Sequence, residues 1–383
     1  MADAQKPVDP EKEKRKIKSV SRMKEIMTNY YIEAKTARDS GKKVAWITSG
    51  GPVEPLIAMD VIPVYPENHG AMIGASKMGV DLCEKAEEMG YSRDLCSYAR
   101  ADIACAPIHG GPIGGLPDPD FLVCCNNICG TVLKWYEVVA RHYNVPLFIL
   151  DTPFVHKEMA DSAKQYVIRQ IHEYIEFLET HCGKKADLDR MEEVGRLSVE
   201  ATRLWQAVLD VAAHKPAPMT AFDAFFHLAL IVTLRGTRTC VDYYKGLLSE
   251  MKERIEQGIA WFGADFDDRV IPHEAGLDTS HISYVKGCYT GQEIVERVRS
   301  RGQVNRRLSG LAFVGAALPE LGAKLFAGDK EAGWLTSAAF SPRKNCAIGL
   351  GYLRREFRQP GSRVHADGRE AEIISLPLES PPK

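Results

Sequence analysis

Short apolar runs alternate with stretches of helical periodicity between residues 42 and 153. Four strands are predicted, at KKVAWITS (42–49), VIPVYPEN (61–68), PDFLVCCNN (119–127) and VPLFILDTP (145–153). The second strand is expected to end in a Pro-Glu-Asn turn. Helices are predicted between these strands, over residues 76–91, 94–107 and 128–144. Strands that alternate with helices in this way predict a parallel sheet that is covered on both faces.

The pattern changes twice after this α/β segment. Residues 157–260 are almost wholly helical in pattern, whereas the last part of the chain has short β-like runs broken by glycine. Such runs predict a small antiparallel barrel or sandwich. The predicted organisation is an α/β domain (1–156), a helical region (157–260), a linker segment (261–305) and a small β-barrel-like domain (306–383).

Composition and charge narrow the class of protein. The chain has 383 residues, of which 45% are hydrophobic and 26% charged, as expected for a globular protein of two or three domains. Its formal net charge of −2 gives no reason to expect nucleic acid or an anionic membrane as a partner. The most apolar window (220–236) carries three ionisable residues and is too short for a membrane span, so we expect a buried helix there.

The N-terminal sequence predicts the location of the protein, and the location in turn predicts the state of its cysteines. No apolar segment is found near the N-terminus, and a cytoplasmic location is therefore predicted. Ten cysteines in a cytoplasmic chain argue against a disulfide framework, because that compartment keeps thiols reduced. Four of them occur singly in helical or strand-like runs and are expected to be buried free thiols: Cys83, Cys182, Cys240 and Cys346.

Polar and thiol side chains follow all four predicted strands. In an open parallel sheet, ligands bind at the carboxyl ends of the strands. Ser49, Glu67, the CCNNIC run (124–129) and Asp151 are all predicted at such ends. Two other interpretations stay open on these residues alone, namely Ser49 as the N-cap of a helix and Glu67 as a solvated turn carboxylate. Nearby, Glu54 and Arg100 are expected to support structure, as a first-turn carboxylate and a surface cation.

Two of the cysteines are candidates for metal ligation. Cys96 and Cys129 are each predicted at the start of a helix, where the helix dipole stabilises a thiolate. Cys105, Cys124 and Cys125 are instead expected to be packed in the interior. Spacing alone leaves packing, zinc ligation and iron–sulfur ligation open, because no CxxC pair is present.

Several long motifs occur together in one order. WITSGGPVEPLIAMDVIPVYPENHGA, GYSRDLCSYAR, PDFLVCCNNICGTVLKWYE and VPLFILDTP make residues 20–260 resemble the 2-hydroxyacyl-CoA dehydratase/benzoyl-CoA reductase family. The resemblance implies a 4Fe–4S cluster held by three cysteines of a subunit, with Cys96 and Cys129 as two of the ligands. It also implies that Ser49 and Glu67 are polar groups beside the substrate, Ser49 as a hydrogen-bond donor and Glu67 as a proton carrier.

The same resemblance implies partners. Members of that family pair two related subunits and receive single low-potential electrons from an ATP-dependent iron–sulfur activator protein. They deliver these electrons to an acyl-CoA thioester. The family's third cluster cysteine comes from a second α/β domain, which would be expected after residue 260, where this sequence changes character instead.

A second resemblance begins at that point. KGCYTGQE (286–293) and the β-like tail make residues 261–378 similar to the carboxyl-terminal part of folate-binding proteins related to the glycine-cleavage T-protein, in the branch linked to iron–sulfur cluster maintenance. Lys286 and Arg297 would raise the thiolate fraction of Cys288 if they lie near it. Cys288 is accordingly either a reactive thiol or a turn cysteine.

Three hypotheses follow. The first is an iron–sulfur subunit of a CoA-thioester dehydratase, a lyase, or of a dearomatising reductase, an oxidoreductase. The second is a non-catalytic iron–sulfur maintenance protein that acts through KGCYTGQE. The third is an inactive fusion in which the α/β half folds. A natural fusion, a chimera and an assembly error would each explain why two partial sequences are joined near residues 258–260.

Overall fold

The chain forms two compact units in a computed structural model. The model describes residues 17–213, 217–256, 258, 260, 263–278, 282, 284, 291–302, 304–341 and 344–376. One unit, here called the α/β unit, comprises residues 20–205 and 225–244. The other, here called the barrel unit, comprises the remaining described residues.

A four-stranded parallel sheet forms the centre of the α/β unit. Its strands are β1 (Val44–Ile47), β2 (Ile62–Val64), β3 (Phe121–Cys125) and β4 (Leu147–Leu150). Their order is β2-β1-β3-β4, and every neighbouring pair is parallel. All residues of β1, β2 and β3 are buried, which explains why these strands are continuous apolar runs in the sequence. The predicted parallel sheet is therefore confirmed.

Helices flank these strands. In chain order they are α1 (Ser19–Lys35), α2 (Glu54–Ala58), α3 (Pro66–Ala75), α4 (Gly79–Glu88), α5 (Ser97–Cys105) and α6 (Gly130–Tyr143). The three helices predicted over residues 76–91, 94–107 and 128–144 are found as α4, α5 and α6. The predicted Pro-Glu-Asn turn is wrong, since Pro66 starts α3 directly after β2. Proline suits this first helical position because its missing N–H would have no partner there. Glu67 consequently lies in the first turn of a helix, where the dipole favours a carboxylate.

The next part of the chain is helical, as predicted, but the single buried helix expected over residues 220–236 is wrong, because two short helices lie there and Phe222 and Phe225 are exposed. It contains α7 (Asp161–Cys182), α8 (Leu188–Ala212), α9 (Ala221–His227), α10 (Ala229–Thr233) and α11 (Arg238–Glu256). Among the helices of the described residues, none is long and apolar enough to cross a membrane. The four-segment division of the chain stays a prediction.

A closed six-stranded barrel forms the carboxyl-terminal part of the barrel unit. After α12 (Gln292–Arg301) come β5 (Arg306–Phe313), β6 (Lys324–Ala327), β7 (Lys330–Ser341), β8 (Cys346–Arg354), β9 (Arg363–Ala366) and β10 (Arg369–Ile374). They close in the order β10-β5-β8-β7-β6-β9, and all neighbours are antiparallel. Side chains such as Leu335 and Leu353 fill the interior. This closed barrel confirms the predicted small β-barrel.

Candidate functional site

Hydrogen bonds connect the carboxyl ends of all four parallel strands. The backbone N–H of Ser49, after β1, donates to Glu67 Oε1, after β2, over 3.0 Å. The N–H of Cys125, at the end of β3, donates to Thr48 Oγ1 over 3.3 Å. Asn126, after β3, donates through its side-chain amide to Asp151, after β4. The four predicted positions therefore lie along one edge of the sheet.

Glu67 is held by donors from two neighbouring elements. Besides the Ser49 N–H, the Tyr136 hydroxyl of α6 donates to Glu67 Oε2 over 3.1 Å. Burial raises the pKa of Glu67 above its ordinary value, and these two hydrogen bonds oppose the rise. Glu67 is half-buried, so its interpretation as a solvated turn carboxylate is wrong. A half-buried carboxyl group with a raised pKa is suited to hold and release a proton.

Ser49 presents its hydroxyl group beside Glu67. Its Oγ lies 3.4 Å from Asn68 Oδ1, which is a long hydrogen bond for a hydroxyl donor. The interpretation of Ser49 as a helix N-cap is wrong, because Val53 precedes α2 and no side chain caps that helix. The Ser49 hydroxyl is therefore not committed to a helix terminus.

Asp151 has structural partners. Tyr166 of α7 donates its hydroxyl to the Asp151 carboxylate, and the Asp151 N–H donates to Gln170 Oε1 over 3.1 Å. Thr152 donates its N–H and its hydroxyl to Asn126 Oδ1, each over 2.9 Å. The first two contacts join α7 to the end of β4, and the contacts of Thr152 join that end to the residue after β3, which gives Asp151 a structural role.

The cysteines of CCNNIC fall into two environments. Cys124 and Cys125 are buried in β3, and burial raises the pKa of Cys124 to about 12. Cys129 is exposed at the residue that precedes α6, and Cys96 is exposed at the residue that precedes α5. The predicted helix-start positions of Cys96 and Cys129 are therefore found, and their ligand role stays a prediction. The packing predicted for Cys105, Cys124 and Cys125 is confirmed.

The donor set of these two thiols is incomplete for a cluster. Within the part of the chain that the structure describes, no group of three or more His, Cys, Asp or Glu side chains is arranged to hold a metal ion. Cys96 and Cys129 supply two thiols, whereas the resemblance implies three ligands from a subunit. Cys288 and Lys286 lie outside the described residues. A third ligand is thus not found among the described residues.

The other predicted residues have mixed outcomes. Glu54 is a first-turn carboxylate that accepts hydrogen bonds from Ser198 over 2.6 Å and from Arg235 over 3.1 Å, which confirms a structural role. Arg100 is not a surface cation, because its side chain is only 14% exposed and pairs with Glu87. Of the four single cysteines, only Cys240 is buried, and the other three are partly exposed: Cys83, Cys182 and Cys346.

Sequence reasoning missed a buried polar cluster behind the site. The Nδ1–H of His69 in α3 donates to Asp102 Oδ1 over 2.8 Å, and the indole N–H of Trp135 in α6 donates to Asp102 Oδ2 over 3.0 Å. Asp102 belongs to α5, and it and His69 are each 1% exposed. Burial raises the pKa of Asp102, although the His69 hydrogen bond opposes the rise. The available signal was an aspartate within a run of alanine and isoleucine.

Family models match both parts of the chain. The model described as 2-hydroxyglutaryl-CoA dehydratase, D-component, matches residues 48–270. The model described as glycine cleavage T-protein C-terminal barrel domain matches residues 306–378, which contain the closed barrel.

Individual relatives agree with these two matches. The (R)-phenyllactyl-CoA dehydratase alpha subunit of Clostridium sporogenes is 36% identical over 69% of this chain and 65% of its own length. A benzoyl-CoA reductase subunit of Thauera aromatica is 30% identical over 63% of this chain and 57% of its own length. An aminomethyltransferase of Bacteroides thetaiotaomicron is 29% identical over 33% of this chain and 36% of its own length. The chain thus spans less than two thirds of each of these curated relatives.

Proposed function

Because the chain belongs, over residues 48–270, to the 2-hydroxyglutaryl-CoA dehydratase D-component family, we propose that it is an iron–sulfur subunit of a related enzyme. The reaction would be either dehydration of a 2-hydroxyacyl-CoA or reduction of an aromatic CoA thioester, as the names of the two kinds of relatives suggest. The observation that carries this proposal is the exposure of Cys96 and Cys129 at the starts of α5 and α6, together with the hydrogen bond from Tyr136 of α6 to Glu67.

Ser49 and Glu67 are proposed to act on the substrate. Charge that develops on a thioester carbonyl oxygen is stabilised by a hydrogen-bond donor already in place, and the Ser49 hydroxyl is such a donor. Glu67 would accept or return a proton at the substrate, which its raised pKa supports. Tyr136 would hold the Glu67 carboxyl group in position through its hydroxyl. This division of roles needs no further polar side chain from the described residues.

Cys96 and Cys129 are proposed as two ligands of a 4Fe–4S cluster. A bound cluster of this kind supplies single electrons at low potential. No third ligand is arranged with them among the described residues, so a bound thiol would complete the cluster in the isolated chain, and we assign no step of the reaction to the cluster itself. The proposal includes a related second subunit, an ATP-dependent activator protein, an acyl-CoA substrate and a cytoplasmic location.

A second function is favoured by the barrel unit. Its residues 306–378 match the glycine cleavage T-protein C-terminal barrel domain, and the second function we propose is an iron–sulfur maintenance role through KGCYTGQE, which precedes that match in the chain. In that case Cys288 would be the working thiol, and the α/β unit would serve as a scaffold. The inactive fusion would show neither property.

Iron and acid-labile sulfide per chain, measured after anaerobic reconstitution, test the first function. We expect a stoichiometric cluster in the parent chain and its loss in Cys96→Ala and in Cys129→Ala. Cys182→Ala, which removes another partly exposed thiol of the α/β unit, is the matched control and should keep the cluster. Iron that persists in both of the first two variants would contradict the proposal.

A further inference from the structure

Asp102 joins three helices of the α/β unit through one buried carboxylate. It lies on α5 and accepts one hydrogen bond from His69 of α3 and one from Trp135 of α6. All three side chains are at most 4% exposed. We call these three residues the Asp102 cluster. Hydrogen bonds to a buried charge are stronger and more directional than apolar contacts, so they fix how neighbouring helices are placed.

Each of these helices carries a candidate site residue at its N-terminal end. Glu67 is in the first turn of α3, Cys96 directly precedes α5, and Cys129 directly precedes α6. Asp102 and Trp135 lie six residues after Cys96 and Cys129 respectively, which corresponds to about 9 Å along a helix. The cluster is therefore close enough to the three helix ends to determine their relative positions.

We propose that Asp102 is a positioning residue that sets the relative placement of the N-terminal ends of α3, α5 and α6. His69 and Trp135 are the donors through which it acts on α3 and on α6. The geometric part of this inference does not depend on an iron–sulfur cluster being bound, whereas its importance for chemistry rests on the proposed function.

Apolar packing alone fixes the position of α5 against its neighbouring helices only weakly. Apart from Asp102, its buried residues are mostly small: Ala99, Ala101, Ala104, Cys105 and the larger Ile103. These residues pack in two core clusters, but small side chains interlock weakly with neighbouring helices and therefore resist sliding or rotation less than large ones. A buried carboxylate with two fixed donors supplies the missing specificity.

The environment of His69 supports a positioning role. Its Nε2 atom is buried and has no hydrogen-bond partner among the described residues. A cavity of about 10 Å³ lies beside it, enough for one water molecule. A side chain placed on Gly111 would come within 3.0 Å of this nitrogen, so substrate cannot reach it without movement of the loop. The hydrogen bond to Asp102 is therefore the contact by which the imidazole acts.

Distances between spin labels in the metal-free full chain test the inference. One label pair is Cys96 with Cys129, which reports α5 against α6. The other is Cys96 with a cysteine at the exposed Ala71 (Ala71→Cys), which lies near the middle of α3 and reports α5 against α3. In every sample serine replaces the three partly exposed thiols, Cys83, Cys182 and Cys346, and also Cys288, which lies outside the described residues. In the second pair serine replaces Cys129 as well.

The variants separate positioning from general loosening. Trp135→Phe should broaden the Cys96–Cys129 distance distribution about twofold and leave the α3 pair unchanged, and His69→Gln should do the reverse. Asp102→Asn should broaden both distributions. The control, His227→Gln, removes another buried imidazole of the α/β unit, one that pairs with Tyr243, and should change neither.

Two results would overturn the inference. One is that Trp135→Phe and His69→Gln both leave the distributions as in the parent. The other is that all variants, including His227→Gln, broaden both pairs equally, since that pattern indicates loss of stability without selective positioning. If Asp102→Asn does not fold, the two donor variants still decide. Iron content is measured separately, so a chain that binds no iron but shows the selective pattern refutes the function and keeps the inference.

Discussion

Two carboxylates of the α/β unit and one carboxylate of the barrel unit have opposite environments. In the α/β unit, burial raises the pKa of Glu67 and of Asp102, and neighbouring elements supply both with hydrogen-bond donors. In the barrel unit, Glu331 is at the surface, and its hydrogen bond and ion pair with Lys324 lower its pKa. Buried carboxylates with raised pKa are typical of functional sites, whereas exposed ion pairs are typical of a solvated surface. This contrast is consistent with the chemistry proposed for Glu67 in the α/β unit.

The largest expected effect is a difference in the free energy of unfolding when one carboxylate is removed from each unit. Asp102→Ala leaves the N–H groups of His69 and Trp135 buried without an acceptor, and should lower the free energy of unfolding by about 3–5 kcal/mol. Glu331→Ala breaks an exposed ion pair and should cause no measurable change. Urea denaturation, followed by circular dichroism, measures both. Equal losses in the two variants would remove the distinction between the units.

A second contrast concerns two glycines with left-handed backbone. Gly111, at φ +116°, faces His69 and Cys105 closely, whereas Gly368, at φ +73° in the β9–β10 turn, has open space around its missing side chain. We expect Gly111→Ala to cost about 2–3 kcal/mol, from backbone strain and crowding together, and Gly368→Ala about 1 kcal/mol. Thermal and urea unfolding would reveal the difference. A loss of stability in Gly111→Ala no larger than that in Gly368→Ala would mean that the loop over His69 can shift to accommodate a side chain.

A third prediction concerns the hydroxyl that supports Glu67. Tyr136→Phe removes a donor to Oε2, so the pKa of Glu67 should rise further and the chain should lose about 1 kcal/mol of stability. Carboxyl titration by infrared or NMR spectroscopy measures the pKa. Tyr166→Phe, which removes a hydroxyl donor from Asp151 instead, is the matched control and should leave Glu67 unchanged. A fall in the pKa of Glu67 would contradict the assigned hydrogen bond.

The smallest effect is a difference in pH dependence. A carboxyl group whose pKa is raised on folding contributes stability below its ordinary value of 4.5, and that contribution is lost as the pH rises through the folded pKa. Glu67→Gln should therefore lose less stability than the parent between pH 4 and a pH above the folded pKa. Glu331, with a lowered pKa, contributes stability above 4.5 that is lost on acidification, so Glu331→Gln should lose less stability below pH 4.5. Parallel curves for the parent and Glu67→Gln would contradict the raised pKa.

The sequence predicted the sheet and the barrel because their patterns are local. Strands buried on both faces are continuous apolar runs, and short glycine-broken strands indicate small barrels. The edge of the sheet where Ser49 and Glu67 lie was also predictable, since parallel strands end together.

Partners distant in the chain were not predictable. Nothing near Asp102 in the sequence identifies His69 or Trp135, each 33 residues away, as its donors. The prediction that Cys182 and Cys346 are buried was wrong for a related reason. Cys182 is the last residue of α7, and Cys346 is the first residue of β8. Residues at the ends of elements are covered by whatever packs there, and the local pattern does not reveal it.

One measurement tests most directly whether the chemistry belongs to the α/β unit. Iron and acid-labile sulfide are determined after anaerobic reconstitution of the parent, Cys129→Ala and Cys288→Ala. We expect Cys129→Ala to lose the cluster and Cys288→Ala to retain at least most of the iron. Loss of iron in Cys288→Ala together with its retention in Cys129→Ala would contradict this assignment and move the search for function to the KGCYTGQE segment.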